Sequence, residues 1–323
     1  MPSIVLLLSD KRSGSTMFQD EICRHPDVQT VPYSPHSNLE THWWLTAAVL
    51  LRRPDRLFSS GRAYGGYGSR ANARAYMIDL LARCVPDFQP PADDRTLVFE
   101  GWEALCQAYA RPVFFEKSPQ FLAHWAALSL ILEWMQTTRF DVKIVAMVRN
   151  PHGTMYSAAA LFGTDPCKRQ YGWLEICRNL LAFEQMLPEG RLLTVRYEDL
   201  VQAPVDGFAA ICRFIGIEPD PRAGSGTHAK SSEKWKQDSS YTLQLDPAVQ
   251  QIARRFGYSS ADLANPQPAG AGAPLKAPKR RSPRLRVNRL RDRFVQPALL
   301  RLRRALGRKP AKDESLRNPG VES

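Results

Sequence analysis

No apolar stretch of the chain approaches the ~20 residues that a membrane-spanning helix needs. The first such stretch, Ile4 to Leu8, is also too short for the core of a secretory signal, so a cytoplasmic protein is expected. The six cysteines, Cys23, Cys84, Cys106, Cys167, Cys177 and Cys212, form no C-x-x-C pair and share no spacing with histidine. That excludes a zinc module or a disulfide scaffold as the organising principle and leaves reduced, mostly buried thiols. An ATP-binding loop of the form G-x-x-x-x-G-K-[ST] is missing as well. Most of the chain even lacks a net charge. Residues 1 to 275 carry 28 Lys+Arg and 28 Asp+Glu, while 15 basic residues between Lys276 and Lys312 face Asp292 alone. The overall charge of +12 therefore belongs to the tail, and the body offers no electrostatic reason to expect nucleic acid.

What is present is alternation. Apolar runs of strand length at 4–8, 113–117, 143–148 and 191–197 are each followed by a polar turn and a helix-like segment. The first helix reads to about residue 24, and its Asp20 and Glu21 read as a solvated face. Short apolar strands alternating with amphipathic helices predict an α/β fold, a three-layer sandwich with a central parallel sheet flanked by helices. Ligands of such sheets bind beyond the carboxyl ends of the strands, where the turns after Leu8, Lys117, Val148 and Tyr197 converge. Residues 40 to 110 are helix-rich and include the loop "GRAYGGYGSR", which suits a substrate-covering insertion. From Asn265 the composition shifts to Pro, Ala, Gly and Arg, so a domain over 1–265 is expected to precede a linker and basic tail over 266–323. No internal repeat is found.

The turn "KRSGST", Lys11 to Thr16, joins a strand to a helix N-terminus and gathers two cations, three hydroxyls and one glycine. Backbone N–H groups and the positive end of the helix dipole suit an anion there, and the loop is P-loop-like with its cation at the front. A solvated Ser-rich turn with an N-cap would have the same composition. The second turn tips the balance. Arg149 stands at a strand end and Ser157 lies eight residues on, so a guanidinium and a hydroxyl can close on another phosphate.

Taken in order, "KRSGST", "HPDV", "EKSP", "VRNPHGTMYS", "VRYEDL", "SSEKWKQ" and "RFGY" resemble the sulfotransferase family that uses 3'-phosphoadenosine-5'-phosphosulfate, over about residues 3 to 265. The final "EKW…FGY…NP" stretch is similar to tyrosylprotein-type and related bacterial members. The resemblance implies an enzyme that moves a sulfuryl group from that donor to an acceptor hydroxyl by in-line displacement, through a loose, charged transition state. Arg12 would sit on the bridging oxygen, with Lys11, Ser13, Gly14, Ser15 and Thr16 around the 5'-phosphate. Arg149 and Ser157 would hold the 3'-phosphate, and Tyr197 would lie near the adenine, although a core tyrosine at a strand end reads equally well. Lys117 and Ser232 resemble a lysine and a serine that steady the transferring group, with Ser231 an alternative to Ser232. No metal is implied, since Arg and Lys can supply the charge.

A base must take the acceptor's proton. Where many relatives carry a glutamate soon after "HP", this sequence has "QTVPYSPHSNLETHWW", which leaves Glu40, His36 and Glu116 as candidates. Glu116 suits an orienting role toward Lys117. The acceptor is expected to be a hydroxyl compound, with a carbohydrate or glycolipid favoured over a tyrosine. Trp43, Trp44, Tyr64 and Tyr67 could stack on sugar rings, although aromatics of this kind are more often core. Residues 285–308 mix leucines with arginines around Pro297, a composition suited to an anionic membrane surface or to a solubilising tail. Two other readings stay open: a P-loop kinase of a small molecule, which the missing Walker lysine opposes, and a non-catalytic nucleotide-binding protein recruited by its tail.

Overall fold

The computed structural model describes residues 2–53, 68–227 and 233–267. Five strands, β1 (Ser3–Ser9), β2 (Val28–Gln29), β3 (Val113–Lys117), β4 (Asp141–Val148) and β5 (Leu192–Arg196), form one sheet in the order β2-β3-β1-β4-β5. Every pairing is parallel. The apolar runs set this arrangement, because a parallel strand covered by helices on both faces must be apolar on both. Along β1, Ile4, Leu6 and Leu8 enter one core and Val5 and Leu7 the other. β2 escapes the sequence pattern, since two residues are too few to show a period.

Helices cover each face. On one side lie α1 (Ser15–Ile22), α8 (Tyr197–Gln202) and α9 (Pro204–Ile215), which bury Phe18, Leu200, Phe208 and Ile211 against Val5, Leu7 and Val145. On the other lie α2 (Trp43–Leu50), α3 (Arg70–Cys84), α4 (Asp94–Tyr109), α5 (Trp125–Met135), α6 (Pro151–Phe162) and α7 (Pro166–Glu184). The three-layer α/β sandwich is thus the observed fold. Three short helices, α10 (Lys234–Gln237), α11 (Pro247–Arg255) and α12 (Ser260–Leu263), close back on α6 and α7. Trp235 stacks on His152 with ring centroids 4.3 Å apart, and His152 bridges the Tyr241 hydroxyl (3.1 Å) and the Leu263 carbonyl (3.0 Å). No helix among the described residues is long and apolar enough to cross a membrane.

Three expectations change. The start of the 40–110 stretch is a core element and not a cover, because all eight residues of α2 are buried. Trp44 packs against Trp102 and Trp134 at 5.3 and 5.7 Å, and Trp43 donates its indole N–H to the Val98 carbonyl, so neither can stack on a sugar. A helix apolar all round has no face to give to solvent. Glu21 is buried and not solvated: its Oε2 accepts the Gly226 N–H at 2.9 Å, whereas Asp20 is exposed. Helix α1 stops at Ile22, two residues early. Tyr64, Tyr67 and the tail segment 285–308 lie outside the described residues.

Candidate active site

Strand register decides what the first turn can reach. Leu7 lies opposite Lys117 on one side and Val145 on the other, so the chain leaving Ser9 emerges between the ends of β3 and β4. It then takes left-handed backbone at Arg12 (φ 72°) and again at Gly14 (φ 98°). Alternation of this kind turns successive N–H groups toward one side, as an anion cradle requires. Arginine adopts it against its own preference, so the surrounding contacts must hold it. Below the turn, buried Asp10 pairs with Arg169, and burial raises its pKa even though Arg169 pulls the other way. The Ser13 Oγ is buried and has no hydrogen-bond partner among the described residues. Ser15 is buried at the head of α1, Lys11 is half-buried and Thr16 is exposed.

The second turn locks onto the first. Arg149 follows β4, and Asn150 caps α6 by accepting the His152 N–H at 2.9 Å. Glu198, one residue after Tyr197, accepts the Asn150 N–H (3.1 Å) and the Tyr258 hydroxyl (2.7 Å), and Trp173 donates to the Arg149 carbonyl. Arg149 Nη1 donates to the Arg12 carbonyl at 3.0 Å while its guanidinium lies 4.4 Å from the centre of the Tyr197 ring. That ring covers Gly14, where a Cβ would fall 2.5 Å from Tyr197 Cδ2. Arg12 Nε in turn donates to Ser157 Oγ at 3.1 Å. Arg12, Gly14, Arg149, Ser157 and Tyr197 therefore form one contiguous group.

A third group stands at the end of β3. Lys117, buried, donates to Glu40 Oε1 at 2.8 Å, and His42 Nε2 donates to Glu40 Oε2 at 3.0 Å. His36 Nδ1 lies 3.4 Å from the same Oε2. Burial pushes the Glu40 carboxyl up, but the hydrogen bond from His42 and the charges of His42, Lys117 and His36 outweigh it and bring it down to about 2. His42, fully enclosed and beside His36, falls to about 4 and is neutral at pH 7. Glu40 is thus an ionised carboxylate with one cation on it. Glu116, by contrast, is driven up to about 7, chiefly by burial. It does not orient Lys117. Its Oε1 accepts the Thr41 hydroxyl (2.8 Å), the Thr41 N–H and the Ser118 hydroxyl, and Ser118 Oγ accepts the His42 N–H (3.1 Å). Glu116 and Ser118 therefore clamp the backbone that carries Glu40 and His42.

Two basic turns and a carboxylate–lysine pair at three adjacent strand ends are a set for moving an anionic group. The sulfotransferase family model matches residues 5–221, about two-thirds of the sequence. The chain belongs to the sulfotransferase family. Among solved structures, this sulfotransferase is similar to the sulfotransferase domain from the curacin biosynthetic pathway, at 20% identity and a TM-score of 0.53 over 80% of this chain and 99% of that one. It is also similar to the sulfotransferase domain of the Synechococcus PCC 7002 olefin synthase, at 18% identity and a TM-score of 0.51 over 80% and 95%. At these identities the likeness speaks for the fold. No curated protein matches the sequence.

Of the residues singled out from the sequence, Ser231 and Ser232 lie outside the described residues. Several contributors to the site have a signal that only distance reveals. His42 flanks Glu40 in the sequence, but its hydrogen bond to that carboxylate shows only in the fold; Glu198 and Tyr258 belong to motifs whose other members draw attention first. Asp10 and Arg169 are 159 positions apart.

Proposed function

We propose that this sulfotransferase takes the sulfuryl group of 3'-phosphoadenosine-5'-phosphosulfate and places it on an acceptor hydroxyl. The observation that carries the reading is the contact of the two basic turns, Arg12 with Ser157 and Arg149 with the Arg12 carbonyl, which supplies cations for a donor bearing phosphate at two separate positions. The cradle suits that donor on its own terms: the buried Ser13 hydroxyl lacks a partner among the described residues, and Gly14 leaves space that a side chain would fill. Arg12, Ser13, Ser15 and Thr16 would bind the 5' side, and Arg149 and Ser157 the 3'-phosphate. Tyr197 would set the floor between them.

In the reaction the sulfur–oxygen bond to the donor phosphate breaks while one to the acceptor oxygen forms, and the acceptor's proton goes to a base. Glu40 fits best, because it is ionised, buried and held on both sides. Lys117 is within reach of the same carboxylate; if it turns to the transferring group, Glu40 loses a counter-charge and its basicity rises. Both events are favoured at one moment, when negative charge develops on the departing phosphate. His42 would keep the Glu40 carboxylate oriented.

The acceptor class stays at a hydroxyl compound, namely a carbohydrate, a glycolipid or a tyrosine. The preference for sugars loses Trp43 and Trp44, which lie in the core. On the same reading the domain over 1–265 works in the cytoplasm, with the basic 285–308 segment resting on an anionic membrane surface.

Calorimetric titration with 3'-phosphoadenosine-5'-phosphate, beside ADP and ATP, tests the proposal. Tight binding of the bisphosphate without a response to ATP is expected. A preference for ATP would transfer the site to a kinase, and no binding of any nucleotide would leave a non-catalytic protein.

A further inference from the structure

The loop before α2 brings three metal-ligand atoms together that no familiar spacing announces. Its backbone is left-handed at Asn38 (φ 70°), Leu39 (φ 55°) and His42 (φ 50°), and the Ser34 hydroxyl closes it, accepting the His36 N–H and donating to the Glu40 carbonyl. As a result His36 Nδ1, Glu40 Oε2 and His42 Nε2 lie within 4.8 Å of one another. Left-handed backbone at leucine and histidine is costly and persists where the surroundings enforce it.

Two of the three ligand-atom spacings match a metal centre, and the third lies within 4.8 Å. A tetrahedral ion with bonds of about 2.0–2.1 Å sets its ligand atoms about 3.4 Å apart. Here Glu40 Oε2 is 3.4 Å from His36 Nδ1 and 3.0 Å from His42 Nε2. The His36 Nδ1 atom is buried, lies 3.4 Å from Glu40 Oε2 and makes no hydrogen bond among the described residues, so no hydrogen-bond partner there holds it away from a cation. Two imidazoles and one carboxylate are a set that zinc-type ions prefer over calcium or magnesium. Lys117 occupies Glu40 Oε1, not Oε2, and so does not block the position.

We infer that His36, Glu40 and His42 form a binding site for a divalent cation of the zinc type, and that the cation, once bound, switches off the base. Binding moves the His42 ring proton from Nε2 to Nδ1, so that the neutral imidazole presents its Nε2 lone pair, and commits Glu40 Oε2 to the metal. The positive charge of the metal on Oε2 then replaces the hydrogen bond from neutral His42 and keeps the carboxylate from taking the acceptor's proton even when Lys117 has left Oε1. The binding site stands on the geometry alone, and only its effect on transfer rests on the proposed function.

The test titrates the full chain, stripped with chelator, with Co2+ as a spectroscopic probe and with Zn2+ in competition. One Co2+ per chain is expected, with the intense visible ligand-field absorption of a four-coordinate site, displaced by Zn2+. His36→Ala and, separately, Glu40→Gln are expected to weaken Co2+ binding by at least ~10-fold. The absence of a stoichiometric Co2+ signal, or a signal that both variants leave unchanged, overturns the site. Binding needs neither donor nor acceptor, so a chain that takes up Co2+ but transfers no sulfuryl group keeps the site while losing the proposed function. Where transfer is measured, Zn2+ at one equivalent is expected to suppress it in the wild type; an unaffected rate with the site filled overturns the switching role.

Discussion

Gly14→Ala puts the architecture of the cradle to a quantitative test. At φ 98° an alanine is strained by about 1–2 kcal/mol on backbone grounds, a loss that a domain with ~5–15 kcal/mol of stability survives folded. The new methyl would lie 2.5 and 2.6 Å from Tyr197 Cδ2 and Cε2, well inside carbon contact, so the ring has to move. On that same ring rests the Arg149 guanidinium, 4.4 Å from its centre, and Arg149 also holds the Arg12 carbonyl. The substitution therefore acts on the Arg149 turn, the proposed 3'-phosphate site, through the Arg12–Gly14 turn. Losing one charge-assisted bond to phosphate, about 1.5–3 kcal/mol, weakens binding of 3'-phosphoadenosine-5'-phosphate by roughly 10- to 150-fold. Titration calorimetry of Gly14→Ala, Tyr197→Ala and the double variant separates the contributions, because removing the ring relieves the clash and leaves the backbone strain. The double variant should bind better than the sum of the single losses predicts. Wild-type affinity in Gly14→Ala, or strict additivity in the cycle, would refute the coupling.

Other perturbations probe the remaining groups. Arg12→Ala should abolish transfer, whereas Arg149→Ala should chiefly raise the Kd for the nucleotide; kinetics and calorimetry on both would sink the assignments if each matched the wild type. Lys117→Met leaves the buried Glu40 carboxylate without its cation, which should cost about 3–5 kcal/mol, visible as a lowered Tm, together with a collapse of kcat. Glu116 ionises in the folded chain near pH 7, against an ordinary value near 4.5. Its folded pKa is raised, so the stability it contributes is fully present below about pH 4.5 and is lost as the pH rises through about 7, on the order of 3 kcal/mol in all. Glu116→Gln should flatten that part of the stability–pH curve in chemical denaturation; a wild type and variant with parallel curves between about pH 5 and pH 8.5 would contradict it.

By itself, the sequence determined the layered fold and the two basic turns. Each rests on local order: an apolar run long enough to be buried on both faces, a polar turn, then a helix start, as in Ile4–Leu8 followed by "KRSGST" and 143–148 followed by "RNPHGT". Such signals survive in one dimension because neighbours in the chain make them. Tertiary structure alone decided the fate of the residues between. Trp43 and Trp44 read equally as a sugar platform or as core, and only the packing of α2 under Trp102 and Trp134 places them inside. Glu116 and Lys117 are consecutive, so their side chains leave opposite faces of β3, and the register with β1 then sends one to the Thr41 backbone and the other to Glu40, 77 positions away. His36, Glu40 and His42 are near in sequence but meet at a single point only because three left-handed residues fold the loop back, a backbone choice that side-chain chemistry does not advertise.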